Sequence, residues 1–220
     1  TERCVMTEMP PSLAEDTAAR LRNEIARGKL TAGQKLSEAK LSADLGISRN
    51  TLREAFRLMT RDGILEHEPN RGMYVATPSM ASTLDIFRVR RLIEVPALAQ
   101  AWPRHNAVAR MREAVEQAEG LRLADDWRGV GSANMDFHLA IVALTDSPRL
   151  MSFFSRIIVE LRLAFGLLDS PEMLHRPYIE RNRQILTTLE SGEPEAASRI
   201  LADYLDQSER AVMAAFARLG

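Results

Sequence analysis

Ser37-Glu38-Ala39-Lys40-Leu41-Ser42-Ala43-Asp44-Leu45-Gly46, followed by Ile47-Ser48-Arg49-Asn50-Thr51-Leu52-Arg53-Glu54-Ala55-Phe56, decides the fold of this chain. Each half opens on a serine whose hydroxyl can accept from a free backbone N–H of a first helical turn. The first half closes on glycine, the residue that tolerates a left-handed helix terminus. Leu41 and Leu45 lie one turn apart, and Leu52, Ala55, Phe56 and Met59 fall at the i, i+3, i+4, i+7 spacing of a buried helical stripe. A short helix, a tight glycine turn and a second capped helix make a helix-turn-helix.

Working outward, Ser12 and Glu15 have the spacing of a capping box that opens an earlier helix with Leu13, Ala18, Leu21 and Ile25 inward and Gly28 as its stop. Residues 1–11, ending in Pro10-Pro11, read as a flexible tail, with the one cysteine, Cys4, a free thiol within it. Leu30–Leu36 reads as a turn feeding a short extended segment. Beyond Asp62-Gly63, Ile64–His67 and Met73–Ala76 read as two strands joined by the breaker-rich turn Glu68-Pro69-Asn70-Arg71-Gly72. A hairpin behind a helix-turn-helix is a winged helix. Thr77-Pro78-Ser79 sets it apart, so the expected division is a DNA-reading domain over 12–78 and a second domain over 79–220.

That second domain reads as six helices without a strand, about 82–103, 106–124, 126–145, 148–169, 171–191 and 194–218, punctuated by proline, glycine and serine. Its first helix is apolar on two sides, with Leu84, Phe87, Val95, Leu98 and Trp102 on one and Ile86, Ile93 and Ala97 on the other. It is therefore expected to be buried on both, with a kink at Pro96. The fold class is thus mainly α, a winged helix-turn-helix ahead of an all-α six-helix bundle.

The net charge of −1 conceals a local asymmetry. Residues 1–78 carry 12 Lys+Arg against 11 Asp+Glu and the remainder 17 against 19, but Arg49, Arg53, Arg57 and Arg61 are opposed only by Glu54 between Ser48 and Arg61. A basic stripe on one helix is a better footprint of nucleic acid than overall charge. Arg49 and Arg53, one turn apart at the outward N-terminal end, suit bidentate contact with guanine. Ser48, Asn50 and Thr51 at the helix start suit phosphate. Arg57 and Arg61 lie beyond the groove-facing end and read as surface.

Over about 65 residues the run Lys35 to Ala55, continued by Leu58, Asp62-Gly63-Ile64-Leu65 and Arg71-Gly72-Met73-Tyr74-Val75, resembles the GntR family of bacterial regulators. The helical remainder resembles the FadR-type FCD domain through Arg90-Arg91-Leu92-Ile93-Glu94, Phe137-His138 and the Ala196-Ala197 helix; six helices rather than seven point to the VanR-like branch. The resemblance implies operator contacts by Arg49, Thr51 and Arg53, with Arg71 and Gly72 of the wing reaching the minor groove. Where the family usually has arginine this chain has Ala39, and the adjacent Lys40 is the candidate phosphate contact. It implies a homodimer on a palindromic operator, a small-molecule effector such as an organic acid, and release of repression by that effector.

FCD domains commonly hold a divalent metal on a carboxylate and three histidines. The matching positions here are Asn134, His138, Asn182 and Tyr204, which helical periodicity independently turns inward. Only His138 is a good nitrogen ligand. No cofactor or metal is therefore expected, and the four side chains are read as binding an organic effector directly, with Arg90 or Arg91 meeting its anionic group. The alternative is a metal site using His138 and His175, which lies two turns before Asn182.

Enzymatic readings fare worse. A pyridoxal enzyme needs a Schiff-base lysine, and Lys29, Lys35 and Lys40 all fall in the DNA-reading part. A metallohydrolase lacks ligands, and no nucleophile triad stands out. With neither a secretion signal pattern nor an apolar run of membrane length, the expected location is the cytoplasm.

Overall fold

The computed structural model describes residues 12–168 and 170–218. The flexible-tail reading of residues 1–11, Cys4 included, lies outside them.

Helix α1 (Leu13–Ala26) opens on the Ser12–Glu15 capping box, with Ser12 N–H donating to Glu15 Oε2 at 2.7 Å. Its apolar stripe is Ala18, Leu21 and Ile25; Leu13, expected inward, stands in the first turn and is 59% exposed. Helix α2 (Glu38–Leu45) is capped by Ser37 and ends on Gly46, whose φ of 65° is the left-handed value that favours glycine. Helix α3 (Arg49–Arg61) is capped by Ser48 and buries Leu52, Ala55, Phe56 and Met59.

Strand β1 (Lys35–Leu36) precedes α2, and β2 (Leu65–Glu68) and β3 (Gly72–Val75) follow α3. They form one antiparallel sheet in the order β1-β3-β2, with Leu65 opposite Val75 and Lys35 opposite Tyr74. The hairpin is the expected one, shifted by a residue. The third strand was legible only as an extended segment, since two residues give no alternation to read.

After Ala76–Ser79 come α4 (Met80–Ala99), α5 (Asn106–Leu123), α6 (Trp127–Ala143), α7 (Pro148–Gly166), α8 (Pro171–Glu190) and α9 (Pro194–Phe216). Proline opens α7, α8 and α9, where its missing N–H costs nothing. Helix α4 continues through Pro96 and stops at Ala99. Trp102 therefore falls past the helix and is 65% exposed, not inward.

The bundle core gathers Leu98, Met111, Phe137, Ile141, Ile185, Leu189, Leu201 and Leu205 from α4, α5, α6, α8 and α9. The winged-helix core of Leu21, Ile25, Leu52, Phe56, Met59 and Val75 is completed by Val159 and Leu163 of α7. One bundle helix thus supplies part of the packing of the head. No helix among the described residues is long and apolar enough to cross a membrane.

Candidate functional site

Two groups of polar side chains stand out, one exposed on the head and one buried in the bundle. On the head, the Ser48 hydroxyl accepts the Thr51 N–H at 3.1 Å and shares a 2.8 Å hydrogen bond with the Thr51 hydroxyl, which fixes the first turn of α3. Arg49, Asn50 and Arg53 are exposed at the N-terminal end of α3. The Arg53 Nε donates to Glu38 of α2 at 2.9 Å. An exposed pair of this kind is worth about 0–1 kcal/mol, so it orients Arg53 without locking it. Lys40 is exposed on α2, two residues beyond the Glu38 that pairs with Arg53.

Arg71 sits on the hairpin turn, where its N–H donates to the Glu68 carbonyl at 3.1 Å across Pro69 and Asn70. Its guanidinium pairs with Glu68 at 2.7 Å and lies 5.9 Å from the Tyr74 ring centre. Gly72 has φ 106°, a conformation L side chains rarely adopt, so glycine is required for the turn to enter β3. All eight proposed DNA contacts thus lie on exposed ends of α2 and α3 and on the wing. Arg57 and Arg61 are on the surface, as read, with Arg57 held by Glu54.

In the bundle, Asn134, His138, Asn182 and Tyr204 converge from α6, α8 and α9, each at most 6% exposed. Asn182 Nδ2 donates to Asn134 Oδ1 at 2.7 Å, and Asn134 Nδ2 donates to the Tyr204 hydroxyl at 3.1 Å. That hydroxyl lies 3.0 Å from His138 Nε2, and His138 Nδ1 lies 2.5 Å from Glu94 Oε2. Arg90 Nε donates to the other oxygen of Glu94 at 2.6 Å. Burial and the nearby Arg90 together hold His138 below its ordinary pKa, against the pull of Glu94. Burial pushes Glu94 up, but Arg90 and His138 outweigh it and keep the carboxyl below its usual range.

These directions assign the protons: a neutral His138 carries its hydrogen on Nδ1, facing an ionised Glu94, and accepts from Tyr204 on Nε2. Every donor then runs one way, from Asn182 through Asn134, Tyr204 and His138 to the Glu94 carboxylate. Burial also raises the Tyr204 phenol far above its ordinary value, so it remains a donor. Two atoms are left over. Among the described residues Arg90 Nη2 has no acceptor and Asn182 Oδ1 has no donor, each buried. Orphans of this kind cost about 1–3 kcal/mol each and mark places where a ligand can add bonds.

Glu94 was missed as a site residue, although its i, i+4 spacing from Arg90 was a readable signal. Arg91, by contrast, is not brought to the cluster. It faces α9, where it pairs with Asp206 at 2.8 Å and Glu209 at 2.5 Å. The helix turns by about 100° per residue, so Arg90 and Arg91 point in different directions, one to Glu94 and the other to α9.

His175 is not brought there either. It packs edge-on to Phe165 with ring centres 5.7 Å apart, in a cavity between bundle and head. The donor set does not fit a resident divalent metal: both nitrogens of His138 are engaged, Asn134 Oδ1 is taken, and Tyr204 stays protonated. Among the described residues no three of His, Cys, Asp and Glu cluster as a metal site.

Comparison with known proteins gives this geometry a context. The family model for bacterial regulatory proteins of the gntR family matches residues 13–75, and that for the FCD domain matches residues 85–207. The solved structure of a GntR transcriptional regulator from Rhodococcus sp. RHA1 superposes with a TM-score of 0.86 at 34% identity, covering 93% of this chain and 99% of that one. The "Probable D-xylose utilization operon transcriptional repressor" of Paenarthrobacter nicotinovorans is 26% identical over 183 residues, 83% of this chain and 80% of that protein. The transcriptional repressor RspR of Escherichia coli is 25% identical over 210 residues, 87% of this chain and 85% of that protein.

Proposed function

We propose, from the premise that this chain belongs to the GntR family of bacterial regulators and carries its FCD domain, that it represses transcription by holding a palindromic operator as a homodimer and lets go when a small organic acid enters the bundle. The protein is a DNA-binding transcriptional regulator with an effector-binding domain, and its relatives are regulators, not enzymes. In this proposal residues 12–78 read DNA in the cytoplasm, 79–220 sense and dimerise, and the chain falls in the VanR-like branch, a reading that the count of six helices supports.

Operator reading is assigned to Arg49 and Arg53 on base edges, to Ser48, Asn50, Thr51 and Lys40 on phosphates, and to Arg71 and Gly72 in the minor groove. Two heads related by twofold symmetry would meet half-sites about one helical turn apart. Effector binding is assigned to Arg90, Asn134, His138, Asn182 and Tyr204, with Arg91 withdrawn because it faces α9. The observation that carries the reading is the buried Arg90 guanidinium, whose Nη2 lacks an acceptor among the described residues, as Asn182 Oδ1 lacks a donor. A carboxylate is the group that would satisfy it most strongly.

The test is fluorescence anisotropy on the intergenic DNA upstream of the gene, with a panel of small organic acids. Binding that exceeds random duplex at least a hundredfold, and that falls with one acid in wild type but not in Arg90→Met, is the expected result. Equal affinity for random duplex would overturn operator reading. An acid response unchanged in a folded Arg90→Met protein would overturn the effector site.

A further inference from the structure

A cavity of about 180 Å³ lies where head meets bundle, walled by the end of α1 and Leu30–Ala32 on one side and by α6, α7 and α8 on the other. We infer that it is a second ligand site, one that takes a small organic acid with an apolar body. Three observations carry this beyond the bundle-core reading.

The first is an unneutralised buried cation. Arg162, 7% exposed, donates Nε to the Ala26 carbonyl at 3.1 Å and Nη2 to the Arg128 carbonyl at 3.4 Å. Its partners are backbone oxygens, and no carboxylate among the described residues pairs with it. Arg128, itself exposed, also borders the cavity. Buried charges are ordinarily paired, so the buried Arg162, with no described carboxylate on the cavity wall, calls for an anion.

The second is His175, 2% exposed on the same cavity, whose Nδ1 finds no partner among the described residues. Burial, and then Arg162, push its pKa down to about 3, so it is neutral and offers one donor and one acceptor rather than a second charge. A ligand hydroxyl or carboxylate oxygen supplies what it lacks.

The third is the rest of the wall. Ile25, Leu163, Phe165 and Pro171 give an apolar floor beside the charged rim, which suits an aryl or branched alkyl body and excludes a bare inorganic ion as the best fit. The volume is below the roughly 300–1,000 Å³ of drug-sized sites, so the ligand is small. Gly28 completes the cradle. Its φ is +71°, and a side chain there would begin 2.7 Å from Arg162 Nη2.

Position gives the site its consequence. Arg162 and the Ser132 hydroxyl, 3.4 Å away, both reach the Ala26 carbonyl at the C-terminal end of α1. An acid that draws on Arg162 competes with that carbonyl, and so acts on the hold of the bundle over the head.

The experiment is thermal melting and calorimetric titration of the full chain with benzoate and phenylacetate, with benzamide and inorganic phosphate as controls. Either acid should raise the melting temperature in a saturable way, with benzamide and phosphate giving less than a third of the shift. Ala32→Phe, which fills the cavity and leaves the Arg162 bonds in place, should weaken acid binding at least tenfold, as should Arg162→Met where it folds. No shift with either acid, or a shift matched by phosphate, would overturn the inference. So would a response kept in Ala32→Phe and lost in Asn182→Leu, which would assign the acid to the bundle core alone.

Discussion

Replacing Glu94 by glutamine keeps the shape of the side chain and removes the one negative charge between Arg90 and His138. Arg90 is 1% exposed and Glu94 is fully buried, so no water can take over. Breaking a buried pair from one side costs about 3–5 kcal/mol, because the surviving charge stays buried. For a domain assembly of this size each kcal/mol lowers the melting temperature by about 2–4 °C, so Glu94→Gln should melt about 6–20 °C below wild type at pH 7. Removing both charges should cost far less, and Arg90→Met/Glu94→Leu is expected to recover at least half of the loss. The pH sign is also fixed. The folded pKa of Glu94 lies below its ordinary 4.5, so its contribution is present above that value and fades as pH falls through the folded pKa. The gap between wild type and Glu94→Gln should therefore narrow only in acid. Circular-dichroism melts test this, and a single variant within 2 °C of wild type at pH 7 would refute the charge-locked network.

Arg53→Ala should weaken operator binding by about 1–3 kcal/mol, or about 5–150-fold, with the melting temperature unchanged, because its contact with Glu38 is exposed; a folded variant that binds like wild type in a gel shift would count against base reading by α3. Glu160 on α7 is pushed up to about 7 by burial and then by Asp62 and Asp85. A raised folded pKa means stability is fully present below about 4.5 and is lost as pH rises through 7, so Glu160→Gln should stabilise by about 1–3 kcal/mol at pH 8 and by nothing at pH 4, read by denaturant titration at both. Zinc or nickel added to chelator-treated protein should leave the melting curve in place; a rise above 5 °C would show a metal site that the donor set argues against.

What the sequence disclosed depended on whether the signal was local. The Ser12–Glu15 box, the Ser37 and Ser48 caps and the left-handed Gly46 are contacts within four residues, and each was readable in the chain before its geometry was known. The inward stripes of α6, α8 and α9 likewise announced Asn134, His138, Asn182 and Tyr204, because periodicity reports which side of a helix is buried. It does not report what a side chain meets there. Arg90 and Arg91 were equivalent in the sequence, and only the packing of α9 separates the buried one from the one paired with Asp206 and Glu209. Trp102 was misplaced because apolar character was extended past the end of a helix. Arg162 went unread although it interrupts the apolar run from Ile158 to Phe165, since an isolated arginine on such a helix acquires meaning only from the backbone it reaches, here 136 residues away.

The packing also bears on how the two parts communicate. Four residues connect the hairpin to the first bundle helix, but apart from the Ser132 hydroxyl of α6 on the Ala26 carbonyl, the polar ties described between the parts run through α7. Arg156 meets Asp62 at 3.1 Å, at the C-terminal end of α3, where Arg22 of α1 meets the same carboxylate at 2.5 Å. Arg162 meets the C-terminal end of α1, and Val159 and Leu163 sit in the core of the head between those two clamps. Guanidinium groups at helix C-termini are favoured by the helix dipole, so both clamps hold the head by the ends where cations bind best. On its other side α7 packs against α4 and α6, the helices that carry Arg90, Glu94, Asn134 and His138, through Phe154, Ile158 and Leu161. A close-packed interior does not deform gradually, so a ligand that changes the spacing of α4 and α6 must either leave α7 in place or shift it as a body. If it shifts, α3 moves with it, because α3 is tied to α7 at Asp62. Control of the operator then requires no change in the connecting residues, only two positions of one helix.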